Sequence, residues 1–164
     1  MTLRPAQPAD VAPLARIWFD GWHDAHAAIL PDALCRDRTE ESFRHRLAHG
    51  LHAVITEGPV GTPLGFAMVK GDELYQLYVA ACARGTGLAD RLMEAAEDRL
   101  AADGVTVAWL ACAIGNARAA RFYERRGWVL AGEVINHLTT AEGPFDLLVW
   151  RYEKRLLPAQ ESPA

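Results

Sequence analysis

The 164-residue chain is poor in cysteine: Cys35, Cys82 and Cys112 are odd in number, widely spaced, and form no Cys-x-x-Cys pair. This excludes a disulfide framework and a cysteine zinc site, and leads us to expect reduced thiols in a cytoplasmic protein. Long apolar runs are missing too. Nothing approaches the ~20 apolar residues of a membrane span, and Met1–Pro5 carries no apolar signal core. Charge of one sign is scarce, with a formal net charge of only −4. No global field therefore draws nucleic acid or anionic lipid, and neither nucleic acid nor membrane is an expected partner. Internal repeats and interior linkers are absent. What remains, 51% apolar and 23% charged, suits one soluble domain, expected over residues 1–155, with residues 156–164 as a disordered tail.

A strand is expected over Thr2–Ala6. From Pro8 the pattern turns helical, with Leu14, Ile17, Trp18, Gly21, Trp22, Ala25 and Ile29 on one face until Pro31 ends it. A second helix, Thr39–His49, starts from a weakened capping box in which Ser42 replaces Glu or Gln, and stops at Gly50. Strands follow at Leu51–Thr56, Leu64–Lys70 and Glu73–Val79. A helix reaches about Asp103, a buried strand covers Val105–Ala113, and a short helix covers Ala117–Arg126. Two strands, Trp128–Thr139 and Phe145–Glu153, flank a turn at Glu142-Gly143-Pro144. The order predicts an α+β fold, a mixed central sheet of about seven strands flanked by about four helices.

The most informative segment is Leu77-Tyr78-Val79-Ala80-Ala81-Cys82-Ala83-Arg84-Gly85-Thr86-Gly87-Leu88-Ala89. An apolar strand runs into a loop with two near-adjacent glycines, and an amphipathic helix follows. Glycines let successive N–H groups curl toward one point, and the helix directs its positive end there. That is a cradle for a diphosphate. A dinucleotide fold is excluded because Asp90 occupies the third glycine position, and a P-loop because Gly-Lys-Ser/Thr is missing.

Arg84-Gly85-Thr86-Gly87-Leu88-Ala89 resembles motif A of the GNAT superfamily of acetyl-CoA-dependent N-acetyltransferases, Gln/Arg-x-x-Gly-x-Gly/Ala. The proline common after the preceding strand is replaced by Ala81. Asn116-Ala117-Arg118-Ala119-Ala120-Arg121-Phe122-Tyr123-Glu124-Arg125-Arg126-Gly127-Trp128 is similar to motif B of that family. The element order matches the GNAT fold over nearly the whole chain. The resemblance implies that the strand before motif A splays from its neighbour, that Leu77, Tyr78 and Val79 offer backbone contacts to pantetheine, and that the N–H groups of Arg84 to Ala89 hold the pyrophosphate. Asn116 would contact the pantetheine arm, or serve only as a helix N-cap. Acetyl-CoA is the implied co-substrate, no metal is implied, and family members are often homodimers.

Tyr123 is, by the same resemblance, the acid facing the departing thiolate. A phenol (pKa about 10) transfers its proton to a thiolate (about 8.5) only uphill, so the role leans toward a hydrogen bond. The alternative for Phe122 and Tyr123 is core packing. An alkylammonium must lose a proton before attacking an acyl carbon, at a cost of about 4.6 kcal/mol at pH 7. Glu73 is the candidate base, and its parity with Tyr75, Leu77 and Val79 places them on one face unless a bulge intervenes; a bare strand-start carboxylate is the alternative. Trp22, His23 and His26 are candidate acceptor residues, although Trp18 and Trp22 also fit core packing. Asp20 and Asp24 suggest an acidic rim for a cationic amine. His45 and His49 have metal-ligand spacing without a third ligand. Arg118, Arg121, Arg125 and Arg126 form a basic cluster, mostly a solvated helix face; His137 and Asp146 are further acceptor-side candidates, and Cys112 reads as a buried thiol. The expected activity is acetyl transfer to a primary amine of a small molecule or peptide by direct attack. A non-catalytic acyl-CoA sensor of the same fold, or transfer of a longer acyl group, is the alternative.

Overall fold

Glycine, proline and short polar residues set the element boundaries in the computed structural model, which describes residues 2–158. The chain runs β1 (Leu3–Pro5), α1 (Val11–His26), α2 (Asp32–Asp37), α3 (Glu40–His49), β2 (Val54–Glu57), β3 (Gly65–Lys70), β4 (Glu73–Val79), α4 (Leu88–Ala102), β5 (Val107–Ala113), α5 (Ala117–Arg125), β6 (Val129–Thr140) and β7 (Gly143–Arg155). Thr39 caps α3 by accepting the Ser42 N–H at 3.1 Å, so the cap survives without the reciprocal carboxylate. The first helix ends at His26 rather than near Ile29, and the short α2 beyond Pro31 has too few turns to show a period. Of the residues expected as a disordered tail, 156–158 carry no regular structure and 159–164 lie outside the described residues.

The strands form one mixed sheet ordered β1-β2-β3-β4-β5-β7-β6, antiparallel except between β4 and β5. Helices cover both faces. On one, Leu88, Leu92, Met93, Ala96 and Leu100 of α4 and Ala120 of α5 pack against Leu74, Ala108, Leu110 and Tyr152. On the other, Leu14, Trp18 and Trp22 of α1, Leu34 of α2, and Phe43 and Leu47 of α3 pack on Phe66 and Met68. Trp18 stacks on Phe43 with ring centroids 4.4 Å apart. Apolar burial of this kind contributes roughly 25 cal/mol per Å².

A fully buried carboxylate pins the start of the chain to the sheet. Asp10 accepts from the Arg4 guanidinium at 2.8 and 3.0 Å, from the Gln7 N–H at 2.8 Å and from the Gly61 N–H at 2.9 Å. The Arg4 hydrogen bonds hold its carboxyl down at about 2 against the opposing effect of burial. Nothing in the chain's periodicity marks this residue, because its partners join the N-terminal stretch to a turn some fifty residues away.

Gly21 sets how closely α1 approaches the sheet. A Cβ there would lie 2.5 Å from Cδ1 of the Tyr78 ring. Gly21→Ala is therefore expected to be net destabilising: overpacking costs about 1–3 kcal/mol, against a helix-propensity gain of roughly 1 kcal/mol. Urea denaturation reads this as a lower midpoint with an unchanged slope.

Candidate active site

β4 and β5 meet at one register pair, Glu73 opposite Trp109. The junction is fastened by the Trp109 N–H donating to the Asp72 carbonyl at 3.2 Å and by its indole N–H donating to the Asp72 carboxylate at 2.9 Å. Beyond it the strands splay. The Ala80 N–H donates to the Leu64 carbonyl at 2.8 Å, so the even-numbered residues of upper β4 address β3 and the backbone of Leu77 and Val79 faces the gap. Across it, Leu156 donates to Thr106, which turns even-numbered β5 residues toward β7 and leaves Ala111 facing β4. The expected trio therefore divides: Leu77 and Val79 offer backbone to the gap, whereas Tyr78 bonds to β3 and contributes only its ring. A cavity of about 510 Å³ occupies the splay and continues to both ends of it.

At one end lies the glycine loop. Gly85 and Gly87 have φ of +76° and +82°, a left-handed conformation that any other residue adopts only at a cost. Among the described residues, no acceptor takes the amide N–H of any residue from Gly85 to Asp90. The Arg84 N–H, expected to belong to this set, instead bonds to the Ala81 carbonyl at 3.3 Å, and the free run extends to Asp90. Thr86 directs its hydroxyl back to the Ala83 carbonyl at 2.6 Å, bracing the loop. These unpartnered donors open α4, whose macrodipole adds positive potential at the same place. Arg84, Arg118 and Arg125 also line this end, while Arg126 turns away to Asp90 at 3.7 Å.

α5 forms the wall opposite. Asn116 caps it, accepting the Ala119 N–H at 3.3 Å, and lines the cavity as well, so its two expected roles coexist. Tyr123 is half-buried on the same wall, its ring 6.0 Å from that of Tyr152. Burial raises its phenol well above the ordinary value, with Cys112 adding in the same sense, so it is a donor at any physiological pH. Cys112, on β5 beside the start of α5, is buried and pushed up to about 11, which keeps it a neutral thiol.

Glu73 stands at the apex of the splay, half-buried and lining the cavity. Its parity with Leu77 and Val79 is broken. The register passes from Met68↔Gln76 to Val69↔Leu74, leaving Tyr75 as the extra residue of a bulge. Leu77 and Val79 thus pack toward α4, whereas Tyr75 and Tyr78 pack toward α1, the side of the sheet that Glu73 shares. Burial lifts the Glu73 carboxyl to about 7, opposed by Lys70 and Arg151 and assisted by Asp72. A carboxylate poised near neutrality inside a cavity suits proton transfer.

The far end is built by α1, α2, α3 and the β6–β7 hairpin. Trp22 and His26 are buried there with rings 4.7 Å apart, and both line the cavity. Burial drops His26 to about 4, so its ring is neutral at pH 7. His23 does not line the cavity; its Nε2 meets the Arg38 carbonyl at 2.6 Å, a helix-joining role. Of the two acids expected to form a rim, Asp20 does not line the cavity and pairs with Arg16 at 3.2 Å, whereas the exposed Asp24 does line it and lies 3.8 Å from Arg84. The His45 and His49 rings lie 4.8 Å apart, tilted at 46°, and no group of three or more metal-ligating side chains converges among the described residues. His137 and Asp146 pair at 2.7 Å on the exposed hairpin. Arg38, Arg46 and Tyr75, which line the cavity, were not singled out from the sequence. The position of Arg46 between Phe43 and Leu47 on the inward face of α3 is the signal that could have found it.

The sequence pattern of the acetyltransferase (GNAT) family matches residues 14–128. This chain is a member of the GNAT acetyltransferase family. No protein of curated function matches it significantly. Among solved structures, a GCN5-related N-acetyltransferase from Rhodopseudomonas palustris is 25% identical with a TM-score of 0.73, over 94% of this chain and 95% of that one. The paia N-acetyltransferase from Thermoplasma acidophilum, solved with coenzyme A, is 16% identical with a TM-score of 0.71, over 94% and 98%. The yncA protein of Salmonella typhimurium, solved with its cofactor acetyl-CoA, is 20% identical with a TM-score of 0.67, over 100% and 96%. The GNAT segment so matched begins in α1 and ends at Trp128. It therefore spans the glycine loop, the splay and Tyr123, and leaves the β6–β7 hairpin outside.

One consequence of this GNAT site is measurable without substrate. Glu73 is raised from 4.5 to about 7, so the folded state holds a proton that the unfolded chain releases between those values, and stability from this group falls as pH rises from 4.5 to 7. Glu73→Gln removes the dependence. Relative to wild type, its unfolding free energy should climb across that window in a denaturant series, and a flat difference would contradict the shift.

Proposed function

We propose that this protein transfers the acetyl group of acetyl-CoA to an amine by direct attack within a ternary complex. The observation that carries the reading is the meeting of two sets of free donors: the amides from Gly85 to Asp90 and the backbone of Leu77, Val79 and Ala111 along the splay. The loop amides are open to solvent and the strand groups face the gap, so both sets are available to a ligand. An amide-bearing arm between the strands, ending in a diphosphate at the loop, would satisfy both sets at once. Asn116 would border the arm.

Acetyl-CoA would supply the activated acyl carbon. Glu73 would take the proton of the incoming ammonium, directly or through water; with its carboxyl near 7, it is substantially ionised at neutral pH. The Val79 N–H, facing the gap, would stabilise the carbonyl oxygen as charge develops on it. Tyr123 would hydrogen-bond the departing thiolate. No covalent acyl-enzyme is needed, and Cys112, neutral and buried, is not assigned as a nucleophile. Holding amine and thioester together contributes up to ~7–11 kcal/mol when orientation is ideal. Two copies would associate along the hairpin, where Val129, Leu130, Ile135 and Leu148 are exposed and β6 ends the sheet.

Calorimetry with acetyl-CoA, followed by thiol release against a panel of amines, tests the reading. Association and amine-dependent release are expected. Heat without turnover for any amine would favour an acyl-CoA sensor, and no heat at all would end the proposal. Tyr123→Phe should lower kcat by about ten- to a hundred-fold with acetyl-CoA affinity retained. In wild type, kcat should fall as pH drops below about 7, where Glu73 protonates. Glu73→Gln should lose that limb and rise only at alkaline pH, as the amine deprotonates itself; an unaltered profile would assign the base elsewhere.

A further inference from the structure

The far end of the cavity holds more positive charge than the protein neutralises. Arg38 is only 3% exposed. Its Nη1 donates to the Asp37 carboxylate at 2.8 Å and to the Thr139 carbonyl at 3.0 Å, and among the described residues its Nε and Nη2 have no acceptor. Arg46 donates from Nη1 to the Tyr75 hydroxyl at 3.1 Å and has no carboxylate partner among the described residues. Burial, and after it the neighbouring Arg46 guanidinium, lower the Arg38 pKa from its ordinary value. Among the described residues, Asp37 is the one acid joined to either of them, and its other oxygen is held by the Ala141 N–H at 2.7 Å.

Both arginines line the same cavity as Glu73, His26 and Trp22. His26 contributes no charge, because burial holds its ring neutral. Both arginines present to the cavity N–H groups without a protein acceptor among the described residues, and the planar guanidinium fork fits a carboxylate or phosphonate best. Arg38 is also preset. The Asp37 and Thr139 bonds and the His23 ring at its carbonyl (2.6 Å) fix it before any ligand arrives, which reduces the ordering cost of binding.

Resting on the transferase reading above, we propose that the acetyl acceptor is an amine that also carries an anionic group, a carboxylate in the simplest case, bound by Arg38 and Arg46. Tyr75 lies on β4 beside Glu73 on the same side of the sheet, and its hydroxyl is the partner of Arg46. The amine would then lie toward Glu73 and the splay, and the anion toward α3. An unmodified polyamine, which brings further positive charge to this end, is disfavoured by the same arrangement.

The test is steady-state kinetics with acetyl-CoA and matched acceptors. α-Amino acids, β-alanine, 4-aminobutanoate, 5-aminopentanoate and 2-aminoethylphosphonate are each compared with the amide or with the amine lacking the acid. The best anionic acceptor should exceed its neutral counterpart in kcat/KM by about thirty-fold or more, the scale of charge-assisted hydrogen bonds. Arg46→Gln should collapse that ratio toward one with acetyl-CoA affinity by calorimetry retained, and Arg46→Lys should restore part of it. Tyr75→Phe, a milder change, should lower the ratio in the same direction. Neutral amines used as well as anionic ones, a ratio indifferent to Arg46→Gln, or no panel member acetylated by protein that binds acetyl-CoA would overturn this inference while leaving coenzyme binding intact. Failure to bind acetyl-CoA would instead remove the transferase reading beneath it.

Discussion

Past Glu73 and Trp109, the two central strands of the sheet no longer bond to each other, and most of what is distinctive in this molecule follows from that separation. A sheet interrupted in its middle leaves backbone donors and acceptors without partners in a region that helices otherwise cover. The Asp72–Trp109 clamp holds the strands together at one end. Toward the other end, the chain turns through the glycine loop into α4. The same divergence therefore opens the cavity and delivers a set of free amides to its mouth. Gly21 lets α1 lie against Tyr78 on the α1 side, and Tyr123 and Asn116 border the gap from α5.

The cavity is graded electrostatically along its length. Amide donors and arginines make the loop end attractive to anions. The middle is nearly neutral, with a protonated Tyr123, an uncharged Cys112 and a Glu73 whose ionisation is finely balanced. The α1–α3 end is cationic again through Arg38 and Arg46. In low-dielectric surroundings such groups act more strongly on one another than they would in water. A transfer reaction that brings a diphosphate to one end and an acid-bearing amine to the other would use both cationic ends and react in the neutral stretch between them.

Much of the scaffold was legible in residue order because local signals marked it: glycine punctuation, the Thr39 cap, the α4 stripe and the apolar run of β5 each act within a few residues. The glycine loop and Asn116–Trp128 segment were legible as motifs for the same reason. What escaped depends on distant partners. The Tyr75 bulge arises from mismatch with β3 and reversed the expected facing of Leu77 and Val79 relative to Glu73. His23 was drawn out of the site by a carbonyl fifteen residues away. The expected acidic rim is reduced to Asp24, because Asp20 lies outside the cavity and pairs with Arg16. Nothing near Arg38 in the sequence marks it, because it is fixed as a buried cation by the distant hairpin, Thr139 accepting from it and Ala141 holding its partner Asp37.

The central claim is that the splay and the glycine loop form one binding surface for a thioester carrier. Backbone amide hydrogen exchange, compared with and without coenzyme A, tests it residue by residue. The account predicts slowed exchange at Gly85–Asp90 together with Leu77 and Val79, and little change in α3. Binding that protects other segments while these amides exchange as before would contradict it.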